Sequence, residues 1–421
     1  MSTAASLPPA DRPLRLLRVI HTLRTEAGGP SESVRRSTEA LLRLGHSVEV
    51  ATADAPESAG ASDSRASAPP FPLHALGPAD AHGRGPRLAP WLRERRAAYD
   101  AVLVHGLWQY HGHAVSRALR GTPTPYLVFP HGMLDPWFRR AYPLKHFKKQ
   151  LYWWWREARV LREAAAVCFT CEEERRLARG TFAPYRLREE VVAYGTADPD
   201  AAGITAADLA RQQAAWLARC PEVAGDRPYL LFLGRIHEKK GLDALIDAHG
   251  RAASSAPHST PPLVIAGPGG ASDYGRAIRH RAEQVCPPGS VVWPGMLEGD
   301  AKWGALRGCE AFALTSHQEN FGIAVAEALA CGRPVLLSDK VNIWREILDD
   351  GAGLVRGDSA PEVEALLADW RTLPAERRAA MGGAARRCFL ARFEIGRAAS
   401  SLVETVRTAL ARHTASSRVS S

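Results

Sequence analysis

Short apolar runs recur along the chain, and those of the second half each close on glycine, serine or aspartate. In the first half they are LLRVIH (16–21), SVEVATA (47–53), AVLVHG (101–106), PYLVFPHG (125–132) and AVCFT (166–170). In the second half they are YLLFLG (229–234), PLVIAG (262–267), SVVWPG (290–295), AFALTS (311–316) and PVLLSD (334–339). Runs this short and this uniformly apolar fit strands buried on both faces of a parallel sheet, with the intervening segments as helices. Ser31 is expected to cap the first helix, which runs through Leu44 to a stop at Gly45. Strand, helix and strand in such quick succession make a parallel βαβ unit.

One hydrophobic core stops growing at ~250–300 residues, so the 421 residues predict two domains. They are placed at 14–198 and 226–392, with a polar, alanine-rich stretch near 196–226 as the separator. Residues 1–13 and 414–421 read as tails, and 54–90, rich in Ala, Ser, Pro and Gly, as a long surface loop. Two Rossmann-like domains leave a cleft between them, and ligands of open parallel sheets sit at the carboxyl ends of the strands.

Composition narrows this only a little. With 46% hydrophobic and 24% charged residues, disorder throughout is excluded. The net charge of +9 points to an anionic partner. No apolar run approaches the ~20 residues of a membrane span, and the first residues lack the apolar core of a signal peptide. A cytoplasmic location is expected. Seven scattered cysteines give no disulfide framework. Cys168 and Cys171 form a single CxxC without a second pair or nearby histidines, and read as reduced thiols at a strand end rather than a zinc site.

The candidate chemistry clusters where the strands end. In SHQENFGIAVAEALACGRPVLLSD (316–339), Glu319 and Glu327 stand eight residues apart. A helix beginning near Phe321, Gly322 and Ile323 would offer backbone N–H groups and a positive dipole to a phosphate. Glu327, within an otherwise apolar helix, would need a partner. Its carboxylate suits two adjacent ribose hydroxyls. Glu319 on the loop would face a sugar beyond the phosphate. In FLGRIHEKKGLDALIDA (232–248), Arg235 and Lys240 could converge on a diphosphate, with Lys239 facing solvent. Gly28 and Gly29 in TEAGGPS permit close backbone approach to a ligand, yet form no dinucleotide fingerprint. His131 in FPHGMLDPW could hydrogen-bond a sugar hydroxyl or be structural, and His105 in VHGLW is a weaker candidate of the same kind.

Together these motifs resemble glycosyltransferase family four, the retaining transferases of GT-B fold, from about residue 16 to about 395. The E-x7-E spacing, GRIHEKKG and IAGPGG (265–270) carry the likeness. It implies an α/β GT-B fold, two Rossmann-like domains with parallel sheets facing across a cleft. A C-terminal helix at 393–413 would pack back toward the first domain. It implies that Glu327 holds the ribose, Glu319 the transferred sugar, Phe321, Gly322 and Ile323 the phosphates and sugar, and Arg235 and Lys240 the diphosphate. His131 would lie near the sugar, and Gly28 and Gly29 would close over the donor. The base would meet backbone near Trp293–Leu297. The implied donor is a UDP- or GDP-sugar, with no metal and no further cofactor. The implied acceptor is a glycan or a lipid-linked molecule in surface polysaccharide or lipid-linked glycan synthesis. A sugar-nucleotide epimerase of the same fold and a non-catalytic nucleotide-sugar-binding membrane partner are the alternatives.

Residues 139–162 are basic and aromatic, with Trp153, Trp154 and Trp155 following Lys145, Lys148 and Lys149. They fit either a packed helix or peripheral contact with an anionic membrane at the inner face of the cell membrane. No nucleic-acid recognition motif accompanies the charge.

Overall fold

A computed structural model describes residues 12–24, 29–56, 69–78, 85–223, 228–257 and 259–419. Two compact units divide it: one contains the chain up to Gly195 and again from Ile395, the other Thr196–Glu394.

The first unit is built on seven strands: β1 (Arg15–Ile20), β2 (Ser47–Thr52), β3 (Leu73–Ala75), β4 (Ala101–His105), β5 (Tyr126–Phe129), β6 (Ala166–Phe169) and β7 (Glu189–Val191). They run in the order β3-β2-β1-β4-β5-β6-β7, and every pairing is parallel. The period of two sorts their side chains between two cores. Leu17, Val19, Val102, Val104, Tyr126, Val128, Val167 and Phe169 share one core with Trp153 and Phe182. Leu16, Leu103, Leu127, Phe129 and Cys168 share the other with Leu41, Leu402 and Val406. The helix Ile395–Val419 thus supplies a face of the first unit's core.

Four local expectations change. The C-terminal helix expected at 393–413 runs on to Val419, through residues expected as a tail. The first helix spans Gly29–Arg43, so Ser31 lies inside its first turn. The Ser31 hydroxyl donates to the Thr22 carbonyl at 3.0 Å instead of capping the helix. The stretch 54–90 is not all loop: β3 adds to the sheet edge with Val50 opposite Leu73, and the helix Leu88–Arg95 begins within it. The stretch 196–226 is no separator. It carries the helix Ala206–Arg219, started by a capping box between Thr205 and Asp208. That helix belongs to the second unit, where Arg307 binds Gln212 at 2.9 Å and Asp200 at 2.6 Å. Cys168 and Cys171 are free and buried, and the Cys171 sulfur accepts the Glu174 N–H as a helix cap.

The second unit's strands are β8 (Leu230–Leu233), β9 (Leu263–Ala266), β10 (Val291–Gly295), β11 (Ala311–Leu314), β12 (Val335–Ser338) and β13 (Gly353–Arg356). Their order is β10-β9-β8-β11-β12-β13, again all parallel. In each sheet the strand order reverses once, between β1 and β4 and between β8 and β11. The loops leaving those paired strands diverge and open a crevice for a ligand.

Glu157 gives the first unit a pH dependence. It is buried at the end of the π-helical turn Trp153–Glu157 and accepts the Trp108 N–H at 3.3 Å. Burial pushes its carboxyl up to about 7 from 4.5. The folded state therefore holds the proton more tightly than the unfolded state, and stability falls as pH rises from about 4.5 to about 7. Glu157→Gln is expected to stabilise the first unit at pH ~8, by on the order of 3 kcal/mol, and to change little at pH ~4. Urea unfolding at both pH values checks this; equal midpoints at the higher pH would remove the buried carboxylate from the account.

Candidate active site

The second unit's crevice is framed by two loops. After β8 the chain runs through Gly234 and Arg235 into the turn Glu238–Lys240 and the helix Leu242–Ser255. After β11 it runs through Thr315–Gly322 into the helix Ile323–Ala330. The loops are laced together: the Thr315 hydroxyl donates to the Gly241 carbonyl at 3.0 Å, and the His317 N–H to the Lys239 carbonyl at 2.8 Å. Gly241 is required here. Its φ is +62°, and a Cβ would lie 2.2 Å from the Thr315 oxygen.

Both glutamates meet a lysine. The Lys240 ammonium bonds the Glu319 carboxylate, both side chains being one-fifth exposed. The Glu319 backbone is fixed as well: its N–H donates to the Lys340 carbonyl at 2.9 Å, and its carbonyl accepts the Asn342 N–H at 3.0 Å. Glu327 is 3% exposed, and its Oε1 accepts from the Lys302 ammonium at 2.9 Å. Lys302 comes from the helix Gly299–Gly308 and also lies over the Trp303 ring at 4.4 Å. Two carboxylates on one strand-to-helix segment are thus each held by a cation from another element.

Gly322 opens that helix at φ +77°. The N–H groups of Gly322 and Ile323 have no hydrogen-bond partner among the described residues. They are the donors that a helix start offers an anion. Phe321 is buried with its ring edge-on to Phe393 at 5.7 Å. Arg235 is exposed and forms no ion pair among the described residues, so it is Lys240 alone that the structure brings to Glu319. Trp293, in the segment expected near a base, carries the Arg279 guanidinium over its ring at 4.6 Å.

In the first unit, His131 follows β5 at φ +54°. Its Nε2 shares a hydrogen bond with His105 Nδ1 at 3.0 Å, and its Nδ1 bonds the Tyr194 hydroxyl. The loop is pinned from behind by the buried Glu174, which accepts the Gly132 N–H at 2.6 Å. Burial, then the charges of Arg18 and His111, hold His131 down at about 3. Burial and the same neighbours hold His105 well below its usual range. Both rings are therefore neutral near pH 7, able to exchange hydrogen bonds with a hydroxyl but not to act as cations. Arg18, fully buried on β1, donates to Val34 O at 2.8 Å and Thr38 Oγ1 at 3.1 Å. Gly29 begins the helix after β1, and Gly28 lies outside the described residues.

Sequence reasoning missed Lys302, Tyr194 and Arg18. Only Arg18 left a signal, as a charge inside the apolar run LLRVIH. Among the described residues, no three His, Cys, Asp or Glu gather as a metal site.

The fold has solved counterparts. Sucrose-phosphate synthase from Thermosynechococcus elongatus superposes with a TM-score of 0.69 at 18% identity, over 94% of this chain and 100% of that one. Anabaena HepE, in complex with UDP and glucose, gives 0.69 at 15%, over 93% and 99%. The chain has the α/β GT-B fold of glycosyltransferases. The family profile described as glycosyl transferases group 1 matches residues 219–387, and the glycosyl transferase 4-like domain matches 28–195. This chain belongs to the group 1 glycosyltransferases. Among curated relatives, the D-inositol 3-phosphate glycosyltransferase of Jonesia denitrificans is 29% identical over 49% of this chain and 48% of its own length. That of Thermomonospora curvata is 29% identical over 47% and 50%. The chain spans about half the length of the curated relatives it matches.

Proposed function

We propose that this chain transfers a sugar from a UDP- or GDP-sugar to an acceptor hydroxyl, with retention and without a metal ion. The observation that carries the reading is the pair of glutamates, Glu319 and Glu327, each met by a lysine where the strand order of the second sheet reverses. Glu327 takes the two ribose hydroxyls, Gly322 and Ile323 take phosphate oxygens, and Glu319 takes hydroxyls of the donor sugar. Lys240 turns from Glu319 toward the diphosphate as it departs, joined by Arg235 and the helix dipole. The acceptor hydroxyl attacks from the face that the diphosphate leaves, and a leaving phosphate oxygen receives its proton. His131, a neutral ring held by His105 and Tyr194, offers a hydrogen bond to a sugar hydroxyl, and Gly28 and Gly29 belong to the donor-binding residues.

The acceptor belongs to surface polysaccharide or lipid-linked glycan synthesis, and the enzyme works in the cytoplasm. The relatives' name adds a phosphorylated inositol to the acceptors worth testing. Calorimetric titration with UDP, GDP, ADP and their sugars, beside a Glu327→Ala control, tests the donor site. Selective binding that the substitution weakens is expected. Titration heats that Glu327→Ala leaves unchanged would overturn the site, and no binding would overturn the donor class.

A further inference from the structure

The helix Pro143–Tyr152 runs on into the turn Trp153–Glu157, and its two sides are treated differently. The inner side is fastened to residues 182–184. The His146 and Trp153 rings stack on Phe182 at 4.7 and 5.2 Å, Gln150 Nε2 donates to Ala183 O at 2.7 Å, and Trp153 Nε1 to Pro184 O at 3.0 Å. The outer side carries Leu144, Phe147, Leu151 and Trp155, exposed by 81%, 61%, 47% and 71%. At 3.6 residues per turn these four fall within an arc of about 80°. Trp154, also exposed, borders them while its Nε1 holds Ala183 O at 2.6 Å. The inner anchors leave the outer stripe no freedom to turn inward.

Charge follows the same stripe. From Trp137 to Arg156 there are six lysines and arginines and no acidic residue. Beside Trp155 a hollow of about 350 Å³ is lined by Arg117, Arg120, Arg156 and Arg159. The Arg156 guanidinium lies over the Trp155 ring at 4.2 Å. Glu163 answers Arg120 and Arg159, each at 2.9 Å, which leaves this wall strongly cationic. A large exposed apolar patch marks an interaction site, and this one is rimmed by an excess of cations. A second copy of the chain would set like charges against each other. A nucleic acid would leave Leu144 and Phe147 uncovered. An anionic bilayer surface accommodates both features, taking the apolar stripe among its acyl chains and the cations among its phosphates. Among the described residues no helix is long and apolar enough to cross a membrane, so this one would lie along the surface.

We propose that the outer face of 143–156 is a docking surface for anionic phospholipid, with Leu144, Phe147, Leu151 and Trp155 inserted and the arginine hollow taking a lipid phosphate. Flotation of the full chain with phosphatidylcholine vesicles, alone or mixed with phosphatidylglycerol, tests it. The protein floats with the mixed vesicles and not with phosphatidylcholine alone, and added salt weakens the association. Leu144→Asp/Phe147→Asp lowers partitioning at least about tenfold, and so does Lys145→Glu/Lys148→Glu. Both variants keep wild-type affinity for the nucleotide, so the docking surface can fail while the donor site stands, and the reverse. No flotation with anionic vesicles, or undiminished flotation of both variants, overturns the proposal. So does a wild-type dimer in sedimentation that the first variant dissolves, which would assign the face to a second copy.

Discussion

Lys240→Ala is expected to lower turnover at saturating donor by about two to three orders of magnitude, the loss typical of removing one preorganised donor from a developing anion. The argument rests on where the ammonium is held. Lys240 follows β8, Glu319 follows β11, and the backbone bonds between Thr315 and Gly241 and between His317 and Lys239 fix the two loops against each other. The backbone of Lys240 is therefore fixed at the crevice, and in the free protein Glu319 orients its ammonium there. In the proposed reaction, charge would grow on the oxygens of the departing diphosphate and the ammonium could follow it. Ground-state binding should suffer less than turnover, because the charge is largest at the transition state. Single-turnover rates set beside donor Kd values separate the two. Wild-type rates in Lys240→Ala would take this lysine out of the mechanism. Arg235→Ala should cost less than Lys240→Ala, since its side chain is exposed and forms no ion pair among the described residues.

The central strands were legible because they are buried on both faces, which leaves an unbroken apolar run such as LLFL or AFAL, whereas β7 and β13, only partly buried at sheet edges, gave no such run. β3 was not legible. It is three residues, Leu73–Ala75, half-buried at a sheet edge inside a stretch rich in proline and serine. The helix Ala206–Arg219 was hidden for a related reason: it buries only Gln212 and Trp216, so its periodic signal is thin. Its capping box, Thr205 with Asp208, was the signal to read. At the site, Glu327 stood out as a carboxylate in IAVAEALA, and it is indeed buried. Its partner could not be named, because Lys302 sits 25 residues earlier in a helix of unremarkable pattern, and only the packing of two helices joins them. The tryptophans 153–155 divided in the same way. Trp153 is buried while Trp154 and Trp155 are exposed, a split set by which side of one helix meets Phe182.

The pair of Glu327 and Lys302 makes a second prediction, in which affinity and stability part company. Glu327→Gln leaves the Lys302 ammonium 18% exposed and without its carboxylate. Lys302→Met leaves a carboxylate that is still less exposed, at 5%. Breaking a buried ion pair from one side costs about 3–5 kcal/mol, mostly through the charge left behind. Each single variant should therefore lower the unfolding midpoint of the second unit. The double variant, with no charge left over, should recover most of that loss. Donor affinity should behave otherwise. If Glu327 accepts hydrogen bonds from the ribose, losing its charge weakens binding by about 1.5–3 kcal/mol, the worth of hydrogen bonds to a charged group. The double variant should not recover it, because the carboxylate is still gone. Lys302→Met alone should keep more affinity than Glu327→Gln, since the ribose hydroxyls can occupy the lone pairs that the ammonium vacates. Urea unfolding and calorimetric titration of the three variants supply both readouts. A double variant that regains donor affinity together with stability would mean that Glu327 serves the fold rather than the ribose.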